Sequence, residues 1–283
     1  MTLYPPAKIN LFLKIFGQRL DGYHEIKTLM TPITLEDILH INLTPKKAIV
    51  LECDDPTTPC DNTNLAFIAA RSYLETVSSN YGVHIILEKR IPTAAGLGGG
   101  SSDAAFILLA LEGLHNYLLG WAGLYYIAVS IGADVAFFLG QRTAWCHGRG
   151  EILEPAKFRC PDDNRTVVLI KPPFPVSTSW AYQYWVKARK IPGLLYHSQC
   201  SPWGELYNDL EIPVFEKFPI LGLIKHWLLG RCEVESALMS GSGPTIFAIL
   251  RQEASPNKLV TDIALELGAD LWVHTCKTRF TQS

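Results

Sequence analysis

Apolar and polar positions alternate from Lys8 to Phe16: Ile9, Leu11, Leu13 and Ile15 share one face of an extended chain, and Lys8, Asn10, Phe12 and Lys14 share the other. The alternation predicts a strand with one apolar face. Shorter stretches predict further strands at Ile38–Leu43, Ala48–Leu51 and Val83–Glu88. Between Asn64 and Thr76 the period changes: Leu65, Ile68, Ala69 and Tyr73 form the stripe of an amphipathic helix. Pro92 closes the strand at 83–88, and the run Gly96-Leu97-Gly98-Gly99-Gly100-Ser101-Ser102 follows. Ser101 or Ser102 is the expected N-cap of an apolar helix reaching Leu119, and a second helix is expected over Ala122–Ile131.

Residues 154–165 are rich in Pro, Asp and Arg, which places a domain boundary there, with residues 1–157 and 158–283 as the two domains. Beyond it, the pattern predicts strands at Val167–Ile170, Thr245–Leu250 and Leu271–His274. Helices are expected at Ser179–Arg189, Ile220–Leu229 and Lys258–Leu267. The mixture is α+β.

Composition narrows the function. With 283 residues, 48% hydrophobic and 18% charged, the chain can bury a real core. A net charge of −2 offers no basic field for nucleic acid. The seven cysteines are odd in number and none is spaced C-x-x-C, so neither a zinc cluster nor a disulfide framework is expected. Scattered thiols fit a reducing compartment. Nothing approaches the roughly 18 uninterrupted apolar residues of a membrane span. A cytoplasmic protein without a membrane or nucleic-acid partner is expected.

The glycine run carries the first chemical signal. Glycines let backbone N–H groups approach an anion, and a helix that starts at once adds its free N–H groups and positive dipole end. A Walker A loop would need a Lys that this loop lacks. The dinucleotide fingerprint fails as well, because Ser101 stands at its third glycine. Charged partners must come from elsewhere. Lys8 opens the first strand on the same face as Asn10, and Asp134 precedes the apolar run Val135–Leu139, where a carboxylate needs a partner.

Five motifs in order carry a family resemblance: Pro6-Ala7-Lys8-Ile9-Asn10, Asp21-Gly22-Tyr23-His24, Gly96–Ser102, Gly132-Ala133-Asp134-Val135 and Ser240-Gly241-Ser242-Gly243. Together they resemble the superfamily of galactokinase, homoserine kinase, mevalonate kinase and phosphomevalonate kinase. The first and second motifs are most similar to the 4-diphosphocytidyl-2-C-methyl-D-erythritol kinase family of the non-mevalonate isoprenoid pathway. The resemblance covers nearly the whole chain. It implies an N-terminal ribosomal-protein-S5-like domain, a C-terminal ferredoxin-like domain and an active site in the cleft between them. It implies ATP and Mg2+ as cofactors and a small-molecule substrate. It leaves a monomer or weak homodimer open and names no magnesium ligand.

Residue by residue, the resemblance makes Lys8 and Asp134 the catalytic pair. Pro92, Thr93, Ala94, Ala95, Gly96, Leu97, Gly98, Gly99, Gly100, Ser101 and Ser102 become the ATP-phosphate loop, and Asn10, Tyr23, His24 and Tyr182 become substrate contacts. Three features depart from the family: Ala136 where Pro is usual, Ala94-Ala95 where Gly is frequent, and an apolar helix after Gly120. The turn Gly148-Arg149-Gly150-Glu151 is expected to be structural. Two other readings stay open: a kinase of another small alcohol, such as homoserine or mevalonate, and a ligand sensor on the same fold without turnover.

Overall fold

The computed structural model describes residues 1–156 and 164–280; the expected boundary between 157 and 158 lies outside them. In chain order the first part runs β1 (Thr2–Leu3), β2 (Pro6–Gln18), β3 (His24–Glu36), β4 (Ile38–Thr44), β5 (Ile49–Cys53), α1 (Leu65–Thr76), β6 (Gly82–Glu88), α2 (Gly99–Leu114), α3 (Gly120–Ile131), α4 (Ala133–Gly140), β7 (Ala144–His147) and β8 (Ile152–Pro155). The second part runs β9 (Thr166–Lys171), α5 (Thr178–Trp185), β10 (Gln199–Ser201), β11 (Gly204–Asn208), α6 (Glu211–Lys217), α7 (Pro219–Leu229), β12 (Val234–Met239), β13 (Ile246–Leu250), α8 (Pro256–Glu266) and β14 (Trp272–Lys277).

Among the described residues three sheets result, ordered β1-β4-β6-β5, β10-β11-β2-β3-β7-β8 and β12-β13-β9-β14. Helices α1 to α4 pack on the first sheet through Tyr73, Ile85, Leu108, Leu111 and Phe138. The third sheet is wholly antiparallel and packs against α6 to α8 through Phe215, Leu221, Ile224 and Ile263. A further core joins the halves, where Ile9, Leu11 and Ile33 meet Leu169, Phe247 and Ile249. The hairpin β10–β11 comes from the second half of the sequence but pairs with β2, in parallel, at Tyr207↔Phe12 and Asn208↔Leu13.

The strand expected from alternation is β2, and its apolar face is buried as the pattern requires. Its opposite face is not solvated at Lys8 and Asn10, which are buried too. Irregularities in the β2–β3 register fall at Pro6/Lys8 and Asn10/Phe12, on either side of that pair, where bulges re-aim side chains. Strand β3 was not expected: Pro32 argues against a ladder strand. It is accommodated because β7 pairs only with Thr28–Met30, short of Pro32.

Helix α2 differs from expectation at both ends. It starts at Gly99 with Gly98 as N-cap at φ 74°, so Ser101 and Ser102 sit inside the helix rather than capping it. It stops at Leu114 because Asn116 and Tyr117 both take left-handed backbone. No helix among the described residues is long and apolar enough to cross a membrane.

Candidate active site

Residues from both halves of the chain line a cavity of about 990 Å3. On its wall, Lys8 Nζ donates to Asn10 Oδ1 at 2.5 Å and to the Gly96 carbonyl at 3.0 Å. Asn10 Nδ2 in turn donates to Thr28 Oγ1 at 2.8 Å, and the Thr28 hydroxyl donates to the Phe12 carbonyl at 2.6 Å. The ammonium is thus fixed by neutral groups of β2 and the glycine loop. Asp134 Oδ2 stands 3.9 Å from it. That is too far for a hydrogen bond but close enough for a strong electrostatic contact. Lys8 is 4% exposed, whereas the Asp134 side chain is 39% exposed and lines the cavity. Burial lowers the pKa of Lys8, and the nearby Asp134 and Cys146 oppose that shift.

Asp134 lies in the first turn of α4, after Gly132, where free N–H groups favour negative charge. Among the described residues its carboxylate accepts no hydrogen bond, so both oxygens are available to a ligand hydroxyl. The N–H of Ala136 reaches the Gly132 carbonyl at 3.4 Å within this short helix, a bond that a proline at this position could not make.

The glycine loop approaches the site through its backbone. A Cβ on Gly96, at φ 75°, would fall 2.3 Å from the Ser240 carbonyl oxygen. A Cβ on Gly98 would press on the Phe138 ring at 2.9 Å and on Lys8 Cγ at 3.1 Å. Pro92 to Gly96 and Gly98 to Ser101 line the cavity. Leu97 and Ser102 do not; their side chains are buried in the protein. Leu97 contributes its carbonyl instead, accepting from Lys8 N at 2.9 Å. Ala94 sits at φ 51°, a left-handed backbone that glycine adopts more easily.

At another part of the wall, His24 and Tyr182 bring their rings to 5.4 Å, tilted by 35°. One begins β3 and the other lies on α5, so the two halves of the chain meet here. Tyr23, 57% exposed, offers one ring face to the Arg149 guanidinium at 4.7 Å. Desolvation lowers the pKa of His24, which favours a neutral ring that can both donate and accept.

A family model described as the GHMP kinases N terminal domain matches residues 64–141. A 4-diphosphocytidyl-2-C-methyl-D-erythritol kinase of Methylacidiphilum infernorum is 41% identical over 95% of this chain and 94% of its own. One from Geobacter sulfurreducens is 40% identical over 89% and 91%. The chain belongs to the 4-diphosphocytidyl-2-C-methyl-D-erythritol kinase family. A crystal structure of a 4-(cytidine 5'-diphospho)-2C-methyl-D-erythritol kinase superposes with a TM-score of 0.76 at 35% identity, covering 98% of this chain and 99% of that one. A homoserine kinase from Cytophaga hutchinsonii shares the fold, with a TM-score of 0.70 at 19% identity, covering 100% and 95%. The fold is therefore that of the GHMP kinases, with mixed α and β content.

For this erythritol kinase family member, sequence reasoning missed several cavity residues. Arg149 was expected to be structural, but it lines the cavity and covers Tyr23; the Gly-Arg-Gly hairpin turn was its signal. Lys89 and Asp103 also line the cavity. Lys89 Nζ donates to Asp103 Oδ2 at 2.6 Å and to Asp37 Oδ2. Asp37 Oδ1 accepts from the N–H groups of Arg90 and Ile91, at 2.6 and 2.8 Å. Burial pushes Asp103 up to about 7 despite the attraction of Lys89. These residues are far apart in sequence and share no motif, so only the folded chain reveals the cluster.

Proposed function

We propose that the chain is an ATP-dependent kinase that phosphorylates the 2-hydroxyl of 4-diphosphocytidyl-2-C-methyl-D-erythritol in the non-mevalonate isoprenoid pathway. The observation that carries this reading is the Lys8–Asp134 pair beside the glycine loop, in the same cavity as the His24–Tyr182 contact. Within the stretch Pro92 to Ser102, the cavity-lining part of the loop and the start of α2, up to Ser101, hold the ATP phosphates on backbone N–H groups. Tyr23 and Tyr182 stack on the cytosine, worth about 1–3 kcal/mol per base face, and His24 reads its edge. Asn10 orients both Lys8 and the erythritol unit.

In the transfer, Asp134 accepts the proton of the 2-hydroxyl while its oxygen bonds to the γ-phosphorus. The bond from that phosphorus to the bridging oxygen breaks, and ADP leaves. Lys8 keeps a positive charge beside the oxygens that gain negative charge. Its anchoring by Asn10 and Gly96 leaves little reorganisation to the reaction.

Magnesium fits this site as a companion of the nucleotide. No group of three His, Cys, Asp or Glu among the described residues could hold a metal ion. Mg2+ is usually held by one or two carboxylates together with phosphate oxygens and water, and with Asp134 engaged by the substrate hydroxyl the ATP phosphates beside the glycine loop would carry it. Bound there, the ion would neutralise phosphate charge.

The reading takes residues 1–157 as the ribosomal-protein-S5-like nucleotide and substrate domain and residues 158–283 as the ferredoxin-like domain. The order β9-α7-β12-β13-α8-β14 around an antiparallel sheet, with α5, β10, β11 and α6 inserted between β9 and α7, supports the second assignment. It makes the protein a cytoplasmic monomer or weak homodimer acting on a small molecule.

The test is ADP release with ATP and magnesium, run in parallel on the diphosphocytidyl alcohol, homoserine and mevalonate. Turnover of the first alone is expected. Turnover of another alcohol instead, or none with ATP still raising the melting temperature, would replace this reading.

A further inference from the structure

The second glycine loop, residues 239–243, touches three parts of the site at once. Ser240 Oγ donates to the Gly96 carbonyl at 2.9 Å, the same oxygen that takes a hydrogen bond from Lys8 Nζ. Gly241, at φ 55°, backs the lysine so closely that a Cβ would lie 3.1 Å from Nζ and 3.3 Å from Asn10 Oδ1. Ser242 Oγ shares a hydrogen bond of 2.7 Å with Thr178 Oγ1, at the start of the helix that carries Tyr182.

A loop of this kind needs an anchor, and one side chain supplies it. Asn208 Nδ2 donates to the carbonyls of Met239 and Gly241, both at 2.8 Å, while its Oδ1 accepts from Leu210 N at 2.9 Å. Two acceptors on one side and a donor on the other fix the amide orientation. The residue is 2% exposed, so its partners cannot turn to water instead. Asn208 ends β11, in parallel register with Leu13 of β2. Its neighbour Asp209 accepts from Ile15 N at 2.8 Å. The anchor is thereby tied to the strand that bears Lys8 and Asn10. Met239 N also donates to Glu211 Oε1 at 3.0 Å, and Glu211 is held by buried Lys225 at 2.6 Å.

We propose that Asn208 is a positioning residue for phosphoryl transfer: through the 239–243 loop it sets where the Lys8 ammonium and the Gly96 carbonyl stand. The proposal rests on Lys8 being catalytic. An aspartate of nearly the same shape would set a carboxylate against two buried carbonyls and release the loop. A displacement of about 1 Å at reacting groups can cost about 10²-fold in rate.

The experiment compares Asn208→Asp, Ser240→Ala, Lys8→Met and the double variant Asn208→Asp/Lys8→Met, with melting temperatures beside kcat and both KM values. Asn208→Asp should lose about 10²-fold in kcat with each KM changed by less than about threefold. In the Lys8→Met background the same change should cost little more, because the two act as a unit. Ser240→Ala removes only the hydroxyl contact with Gly96 and should show the same kcat-selective loss, smaller in size; it decides the matter if Asn208→Asp does not fold. A lowered melting temperature with wild-type kcat, or full additivity in the double variant, overturns the proposal. Wild-type kcat in Lys8→Met would instead overturn the catalytic reading beneath it.

Discussion

His24 and Tyr182 lie 158 positions apart in sequence, and their rings sit 5.4 Å from each other on the wall of one cavity. Under the proposed function, this contact would make cytidyl recognition a joint property of both halves of the chain. Removing the Tyr182 ring should therefore act on one substrate only. Tyr182→Ala is expected to raise KM for the diphosphocytidyl alcohol by about 5- to 150-fold, the equivalent of 1–3 kcal/mol of stacking. KM for ATP should barely move. Initial rates with each substrate varied in turn check this.

Two of the cavity glycines, Gly96 and Gly100, differ in what they tolerate. Gly96 has a left-handed backbone, and a Cβ there would collide with the Ser240 carbonyl. Gly96→Ala should lower the melting temperature by several degrees and abolish most activity. Gly100 lies inside α2, and a Cβ added to it would meet nothing within 4 Å. Gly100→Ala should keep or raise the melting temperature, since alanine favours a helix by up to about 1 kcal/mol over glycine. Thermal melts of the two variants separate these outcomes.

The glycine run, Asp134 and the strand bearing Lys8 were legible because each is a local pattern: a period of two, a cluster of glycines, an acid before an apolar run. Strand β3 was hidden by Pro32, which cannot donate to a ladder. The attachment of β11 to β2 joins residues 207 and 12, which no local period records. Serines after glycines suggested a cap, yet Gly98 takes that position because only its left-handed backbone turns the loop into α2. Arg149 shows how a turn residue becomes part of a site once the fold lays it over Tyr23.

Lys8 should limit activity at high pH. Burial holds its pKa below the ordinary 10.5 of a lysine, so the ammonium is lost earlier as pH rises. If its charge stabilises the transferring phosphoryl group, kcat falls through that lowered value. A kcat profile from neutral to strongly alkaline pH should show this limb, and Lys8→Met should lack it in its residual activity.

Asp103 gives a pH dependence of stability. Its folded-state pKa is raised to about 7, whereas an unfolded aspartate titrates near 3.9. Between those values the folded chain holds a proton that the unfolded chain has released. The stability from this group is full below the lower value and lost as pH rises through about 7. Asp103→Asn cannot titrate there. Relative to wild type, its melting temperature should improve between about pH 5 and about pH 8.

The most direct test of the account is the turnover number of Asp134→Asn with saturating ATP, magnesium and diphosphocytidyl alcohol. The substitution keeps the size of the side chain and removes its power to take the hydroxyl proton. The account predicts a kcat lower by about 10²–10⁴-fold, with KM for the alcohol changed only modestly. A kcat near that of the wild type would contradict it.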